Sequence, residues 1–512
     1  MSESGLGSPA SVSTPSRLSL FLDRAGLQGF PWVSAIVLYT ISWGWLFIVR
    51  DSLWSDDWWR YPNHFDYPWS TYGHPPWLRY EKYVFNTVGV AGTHFIIFVG
   101  FFLSAVFLRC ILQKFRILAV SDRQFLILLF LVLPLNTARV ALYTFCYSLP
   151  YVLFFFAWYL LINFAARKTY ILSVVLFFLS FGMHSLLLFF FLPVLHKFLL
   201  SKVGDVRGLL EFVRTNFVVL LLPILYWGMR SIFWPEEVAY HDVSRSSLFK
   251  TVYFVLITVS LLSIIFVSQL KLKAKKQSLQ LIFAGVLCIF FGIYAYVVYG
   301  FFSPNWSFFS KYIETSLGRS DWYSRHQTLQ PLGVALLIVG VIGLLPKSLK
   351  KFTKQIQALI LAVCVVFNVG FGFEYVVDHA KQKEVTRVLK EDGESKSGSD
   401  YQFVDQTTLL NARGREYRER DWKGLIWLAY GVKSMQSSRV TTMCESLKDA
   451  RLVLIRGPET HWEALKNWVS DGDMGFEVTV DDTPGACKPE MVTSERVSGA
   501  IPILFYFTGA KG

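Results

Sequence analysis

The sequence predicts a polytopic α-helical membrane protein with about eleven transmembrane helices, followed by a small C-terminal α/β domain. Hydrophobic residues make up 53% of the 512 residues and charged residues only 17%, whereas soluble domains carry about 25% charged residues. Apolar runs of roughly 20 residues, the length that crosses a bilayer, recur along the chain. They predict spans at 30–49, 87–108, 124–136, 147–164, 170–183, 185–200, 215–233, 250–270, 279–301, 331–346 and 356–376.

One predicted span is unusually short. The run at 124–136 is followed after a few residues by the run at 147–164. Two such runs are typical of a broken or re-entrant pair, in which non-helical backbone is buried in protein at membrane depth.

Basic residues predict the orientation of the spans. Lys and Arg concentrate in alternate connections, at 109–123, 167–168, 197–214, 271–276 and 347–354. Cytoplasmic loops carry this excess, so we expect a cytoplasmic N-terminus and an extracytoplasmic C-terminal domain in the plasma (inner) membrane. Since the net charge of +13 is spread over these clusters, it does not indicate nucleic-acid binding.

Composition divides the chain into four parts. Residues 1–28 are rich in Ser, Pro and Gly, and this composition predicts a disordered tail. The spans occupy 29–376, and 377–400 begins with helical spacing and predicts a linker. In 401–512, short apolar strands alternate with amphipathic helices, which predicts an α/β domain. We expect this domain to have a structural or acceptor-docking role.

Cysteine positions agree with this division. Cys444 and Cys487 lie in the predicted extracytoplasmic domain, where disulfides form. We expect them to pair if their Cα atoms come within bridging distance. The other cysteines lie in or beside spans, and we expect them to pack as small apolar side chains. They are Cys110, Cys146, Cys288 and Cys364.

The connection after the first span carries the strongest functional pattern. Its sequence is DSLWSDDWWRYPNHFDYPWSTYGHPPW, in which Asp56 and Asp57 stand among five tryptophans. A carboxylate at the membrane surface can act as a general base toward a sugar hydroxyl, or it can hold a divalent cation such as Mg²⁺ or Mn²⁺. Arg60 can offset the repulsion between the two acids or bind a phosphate. The tryptophans suit sugar stacking or, alternatively, an interfacial aromatic belt.

Later residues on the same predicted side supply basic groups. Arg139, His184, Arg325 and His326 are candidates for binding a phosphate or a substrate. Each also has a structural interpretation. The Arg139 side chain can extend to the membrane interface, and His184 can form a hydrogen bond with a neighbouring helix. Arg325 and His326 can form ion pairs at the surface.

The Ser-Asp-Asp-Trp-Trp-Arg sequence at 55–60 resembles the GT-C class of membrane glycosyltransferases, and within it the GtrII-like glucosyltransferases. The segment Tyr-Ser-Arg-His-Gln at 323–327, leading into Pro331, is similar to the entry of a late span in many such enzymes. The resemblance covers roughly 29–376.

The resemblance implies a polyprenyl-phosphate-linked sugar as donor and a glycan or lipid-linked acceptor, such as lipopolysaccharide O-antigen, at the cell envelope. Asp56 or Asp57 would deprotonate the acceptor hydroxyl, which attacks the anomeric carbon with inversion. Arg325 and Arg139 would hold the departing phosphate.

Two alternatives stay open at this point. An O-antigen polymerase or ligase relies on Arg and His in a late outer loop, and RHQTLQPLG fits that pattern. A transporter or flippase of lipid-linked glycans predicts ionisable residues within spans, and His94 and Glu374 are such residues.

Overall fold

The computed structural model describes the chain in segments, at 29–50, 52–54, 57, 74–114, 118–135, 137–183, 185–201, 206–235, 276–298, 329–392, 400–412, 417–431, 439–441 and 450–481. These segments are mostly helical and carry one small sheet. The first helices are α1 (Trp32–Trp43), α2 (Tyr80–Gln113), α3 (Val120–Val132), α4 (Phe145–Asn163), α5 (Arg167–Ser180), α6 (Ser185–Phe189), α7 (Phe191–Leu200), α8 (Val206–Thr215) and α9 (Phe217–Phe233). They are followed by α10 (Lys276–Val298), α11 (Gln330–Gly343), α12 (Lys347–Lys350) and α13 (Thr353–Glu391). The C-terminal elements are β1 (Tyr401–Asp405), α14 (Glu419–Tyr430), β2 (Val440–Thr441), β3 (Arg451–Arg456), α15 (His461–Asp471) and β4 (Glu477–Asp481).

Within the described segments, three helices are long and apolar enough to cross a membrane, and they are Lys82–Gln113, Phe145–Asn163 and Thr353–Glu391. Helices α8 and α9 meet the same criterion as a pair bent by 55°. The chain is therefore a helical protein with apolar helices that could span a membrane, but this part of it contains fewer such helices than the eleven predicted spans. The predicted span at 250–270 lies outside the described residues.

Helix α3 ends where the sequence predicts a broken pair. Residue Leu133 has a ψ of 130°, because the ring of Pro134 disfavours helical backbone in the preceding residue. With 13 residues, α3 is about 20 Å long and too short to cross a 30 Å hydrocarbon core. Its last carbonyls accept side-chain hydrogen bonds, Leu131 O from Trp43 Nε1 at 3.0 Å and Val132 O from Asn368 Nδ2 at 2.5 Å.

Helix α13 joins the apolar helices to the C-terminal domain without interruption. It runs through 39 residues, so the predicted linker at 377–400 is helical as far as Glu391, and 393–399 lies outside the described residues. Near its middle, α13 packs against the turn after α1. Tyr375 stacks on Trp45 with ring centroids 5.0 Å apart, and a Cβ at Gly372 would lie 2.4 Å from the Trp45 ring.

The C-terminal region is an α/β domain built on a sheet of order β2-β1-β3-β4. Strand β1 pairs in parallel with β2 and β3, and β3 pairs with β4 in antiparallel orientation. Trp422 of α14 stacks on Phe403 of β1 at 4.6 Å between ring centroids. The same apolar cluster includes Leu53, Phe85 and Leu142, so the domain is packed against the loops that connect the first helices. Cys444 and Cys487 lie outside the described residues.

Candidate functional site

The non-helical segment 133–144, between α3 and α4, forms the centre of the candidate site. It contains two short 3₁₀ turns, Thr137–Val140 and Leu142–Thr144. Residues 138–142 are buried. Irregular backbone between apolar helices is tolerated where protein buries it or where it lines a cavity. Both conditions hold here.

Asp57 ties the first loop to this segment. Its Oδ2 accepts hydrogen bonds from the backbone N–H of Leu142 at 2.9 Å and of Trp54 at 3.0 Å. The Asp57 side chain is fully buried. A buried carboxylate that accepts two backbone amides fixes the backbone around it, because either amide would lose its partner if the acid moved.

His94 of α2 makes a second tie to the same segment. Its Nε2 lies 2.8 Å from Val140 O, and its Nδ1 lies 3.3 Å from Arg50 O. Asp57 therefore bonds the segment to the first loop, and His94 bonds it to α2. These bonds hold Val140 and Leu142, which directly follow Arg139 in the chain.

Arg139 lies between two aromatic rings. Its guanidinium carbon is 3.7 Å from the centroid of the Trp43 ring and 4.4 Å from that of Phe101, and the residue is only 4% exposed. Arg139 also donates a hydrogen bond to the Tyr39 hydroxyl, which in turn donates to Phe98 O at 2.9 Å. Cation–π contacts of this kind strengthen when water is excluded.

A small pocket opens beside Arg139. Its volume is about 10 Å³, and it is lined by Tyr39, Phe101, Phe130, Leu131, Arg139, Tyr151 and Pro331. A cavity of this size holds about one water molecule, so a phosphate or a lipid-linked sugar needs the pocket walls to move apart. One guanidinium and two phenol groups in an otherwise apolar wall are a donor set suited to an anion.

Pro331 brings the late part of the chain to the same pocket. It stands at the start of α11, after a predicted outer connection that ends with Arg325 and His326. The structure thus brings together Asp57, Arg139 and the entry of α11, three features that the sequence predicts separately. Asp56, Arg60, His184, Arg325 and His326 lie outside the described residues.

Sequence reasoning missed the aromatic and histidine contributions to this site. In the sequence, Tyr39 and Tyr151 look like ordinary members of apolar runs, and His94 looks like the mid-span ionisable residue expected of a transporter. The available signal was the presence of polar side chains within apolar runs, which are costly without a partner or function. In the described segments, no group of three or more His, Cys, Asp or Glu residues is arranged to hold a metal ion.

Comparison of the chain with family models, with curated proteins and with solved structures finds no match in any of the three. A functional assignment therefore depends on the chemistry of the residues around Arg139.

Proposed function

We propose that this protein is a GT-C-type membrane glycosyltransferase. In this proposal it moves a sugar from a polyprenyl-phosphate donor to a cell-surface glycan or lipid-linked acceptor on the outer face of the plasma membrane. The observation that carries the proposal is the pocket beside Arg139, whose position depends on the acid-bearing first loop.

Arg139 is proposed to bind the phosphate of the donor. The rings of Trp43 and Phe101 contact the faces of its guanidinium, whereas guanidinium N–H groups donate in the plane of the group. The ring contacts hold the cation without adding a formal negative charge beside it. A guanidinium held in this way can form paired hydrogen bonds with phosphate oxygens. As the sugar–phosphate bond breaks, these bonds stabilise the negative charge that develops on the phosphate.

The two acids of the first loop are proposed to divide their roles. Asp57 is the positioning residue, because its Oδ2 accepts the amides of Trp54 and Leu142. Asp56 is the general base that removes the proton from the acceptor hydroxyl. The hydroxyl oxygen then forms a bond to the anomeric carbon with inversion, and the phosphate leaves with the electron pair of the bond that breaks.

The first experiment measures sugar transfer from a labelled polyprenyl-phosphate donor pool in membranes. We expect Asp56→Asn to lose transfer by about 10²–10⁴-fold, the usual contribution of a general base. Arg139→Gln should lose about 10²–10³-fold, as when one charge-stabilising donor is removed. Asp57→Asn retains an acceptor oxygen and should keep much of the activity. Chelation with EDTA in the same assay tests whether Asp56 acts instead through Mg²⁺ or Mn²⁺.

A matched substitution controls for loss of charge. Arg387→Gln removes an exposed arginine that pairs with Glu384 and Glu391 on the surface of α13, and it should leave transfer unchanged. Wild-type membranes that transfer no sugar from any donor would contradict the proposal. Transfer of preassembled glycan chains, insensitive to Asp56→Asn, would favour a ligase or polymerase, and movement of the lipid-linked glycan without bond formation would favour a flippase.

A further inference from the structure

Helix α13 has an apolar stripe on its exposed side that stops abruptly. Leu359, Val363 and Val366 are exposed and share one face of the helix, since residues three and four apart are neighbours. Beyond Val369, which is also exposed, the following positions on this side are Phe373 and Val377. Phe373 is half-buried and Val377 is fully buried, so another element covers the stripe from this level onward.

The covering element includes helix α15 of the C-terminal domain. The ring of His461, its first residue, lies 6.4 Å from the Phe373 ring. Ala464, one turn further on, belongs to the apolar cluster that contains Val377. Helix α15 therefore packs on α13 at the level where the exposed apolar stripe ends, and its N-terminus lies nearest to that stripe.

The outward side of α15 is itself apolar. Trp462 is 69% exposed and Val469 is 75% exposed. With Leu465 between them, they stand at i, i+3 and i+7, the spacing of a single helix face. Their exposure to water is costly for such large groups, and they lie on the helix that packs where the exposed stripe of α13 ends.

We propose that α15 lies in the headgroup region of the bilayer, with Trp462 and Val469 in contact with lipid. An apolar stripe on a membrane-spanning helix faces acyl chains, so an element packed at the end of that stripe lies at the interface. Tryptophan favours this depth because its ring is apolar and its N–H is polar. The lipid contact would fix the orientation of the C-terminal domain relative to the membrane, whether or not the chain transfers sugar.

Apolar insertion rather than charge attraction drives this contact. Helix α15 carries Glu463 and Asp471 against Lys466, so it offers no excess of positive charge to anionic headgroups. Binding of the face should therefore be insensitive to salt, in contrast to that of a basic amphipathic helix.

The test uses the full chain in nanodiscs of phosphatidylcholine and phosphatidylglycerol. Photoreactive benzoylphenylalanine replaces Trp462, Val469 or Ser470, and lipid adducts are quantified by mass spectrometry after illumination. Val366, on the exposed stripe of α13, gives the reference yield for a lipid-facing position. Ser470 is the matched control, because it lies on the same helix about 100° around the axis from Val469.

We expect adducts at 462 and 469 at a yield comparable to that at 366 and at least about tenfold above that at 470. The yields should not change between low and high salt. Cross-links between two protein chains from 462, in place of lipid adducts, would show a contact between copies and overturn the proposal. Yields at 462 and 469 as low as at 470, with unchanged thermal unfolding, would overturn it as well.

Discussion

Arg139 and Lys381 are both buried cations, but the two regions of the chain hold them in different ways. Arg139, between the apolar helices, is packed between aromatic rings beside a pocket. Lys381, where α13 enters the C-terminal domain, is 1% exposed. Its Nζ donates to Asp405 Oδ2 at 2.9 Å and also to Asn411 Oδ1, and it lies over the Tyr417 ring.

The contrast separates a cation used for stability from one suited to function. The Lys381 charge is matched by a carboxylate, which itself accepts hydrogen bonds from Thr407 through its other oxygen. Such a network fixes the junction between α13 and β1 and has little left to offer a ligand. Arg139, by contrast, packs against the Trp43 and Phe101 rings and lines the small pocket. Burial of a charged residue is therefore a poor guide to function until its contacts are known.

The largest effect that we expect on stability comes from removing the lysine of this network. Lys381→Met leaves the buried Asp405 carboxylate without its cation, which should lower the free energy of unfolding by about 3–5 kcal/mol. Thermal unfolding and limited proteolysis of the C-terminal domain measure this loss. Arg139→Gln, the counterpart in the other region, should mainly reduce sugar transfer.

A double substitution distinguishes the charge effect from a packing effect. Lys381→Met combined with Asp405→Asn removes both formal charges and retains an acceptor for Thr407. The double variant should recover most of the stability, since a buried ion pair and a neutral replacement often differ little. A double variant as unstable as the single one would mean that packing of the lysine stem, not charge, accounts for the loss.

His461 shows a third way to bury an ionisable group, which is to keep it neutral. The pKa of His461 falls to about 4, because burial lowers it more than a backbone hydrogen bond with Leu410 raises it, and the charge of Lys381 adds to the decrease. The unfolded state, with a pKa near 6.5, binds a proton at a pH where the folded state does not. Stability should thus be highest above pH 6.5, fall by about 3 kcal/mol as the pH drops to about 4, and level off below that.

Hydrogen exchange of α15 between pH 7 and pH 4 checks this dependence. His461→Gln removes the titrating group, so the slope of stability in this window should become smaller than in the wild type. An equal slope in the variant would mean that His461 does not account for the pH dependence.

Local signals in the sequence predicted several elements correctly. The alternation of short strands with amphipathic helices predicts an α/β domain, and the sheet agrees with it. For the polar segment after residue 376, the sequence predicts a linker, whereas the structure has a helix as far as Glu391. A change in composition marks the end of the apolar face, but the backbone of α13 continues through it to Glu391, because polar residues with good helix propensity extend a helix as readily as apolar ones.

The arrangement of the candidate site could not be predicted, because it depends on long-range contacts. Adjacent acids look equivalent in a sequence, and only the fold shows that Asp57 accepts the amide of Leu142, 85 residues away. Pro331 and Arg139 meet at one pocket although they are distant along the chain. Residue type predicted what Arg139 could bind, whereas the rings that hold it come from separate helices.

The smallest effect concerns the glycines that bring α11 close to α10. A Cβ at Gly333 would lie 2.5 Å from Cys288 Cβ and 3.0 Å from Gly285 O. Gly333→Ala should therefore cost about 1–3 kcal/mol through overpacking. Since Pro331 is two residues away and lines the pocket, the same shift should also lower sugar transfer.

Gly228→Ala is the matched control, because a Cβ there meets nothing within 4 Å. That substitution, in the interior of α9, should be neutral or stabilise the protein by about 0.5–1 kcal/mol through the higher helix propensity of alanine. Thermal unfolding and the transfer assay are measured on both variants. Reduced stability with unchanged transfer in Gly333→Ala would mean that the pocket beside Arg139 tolerates movement of α11, and that anion binding depends on α1, α2 and the 133–144 segment alone.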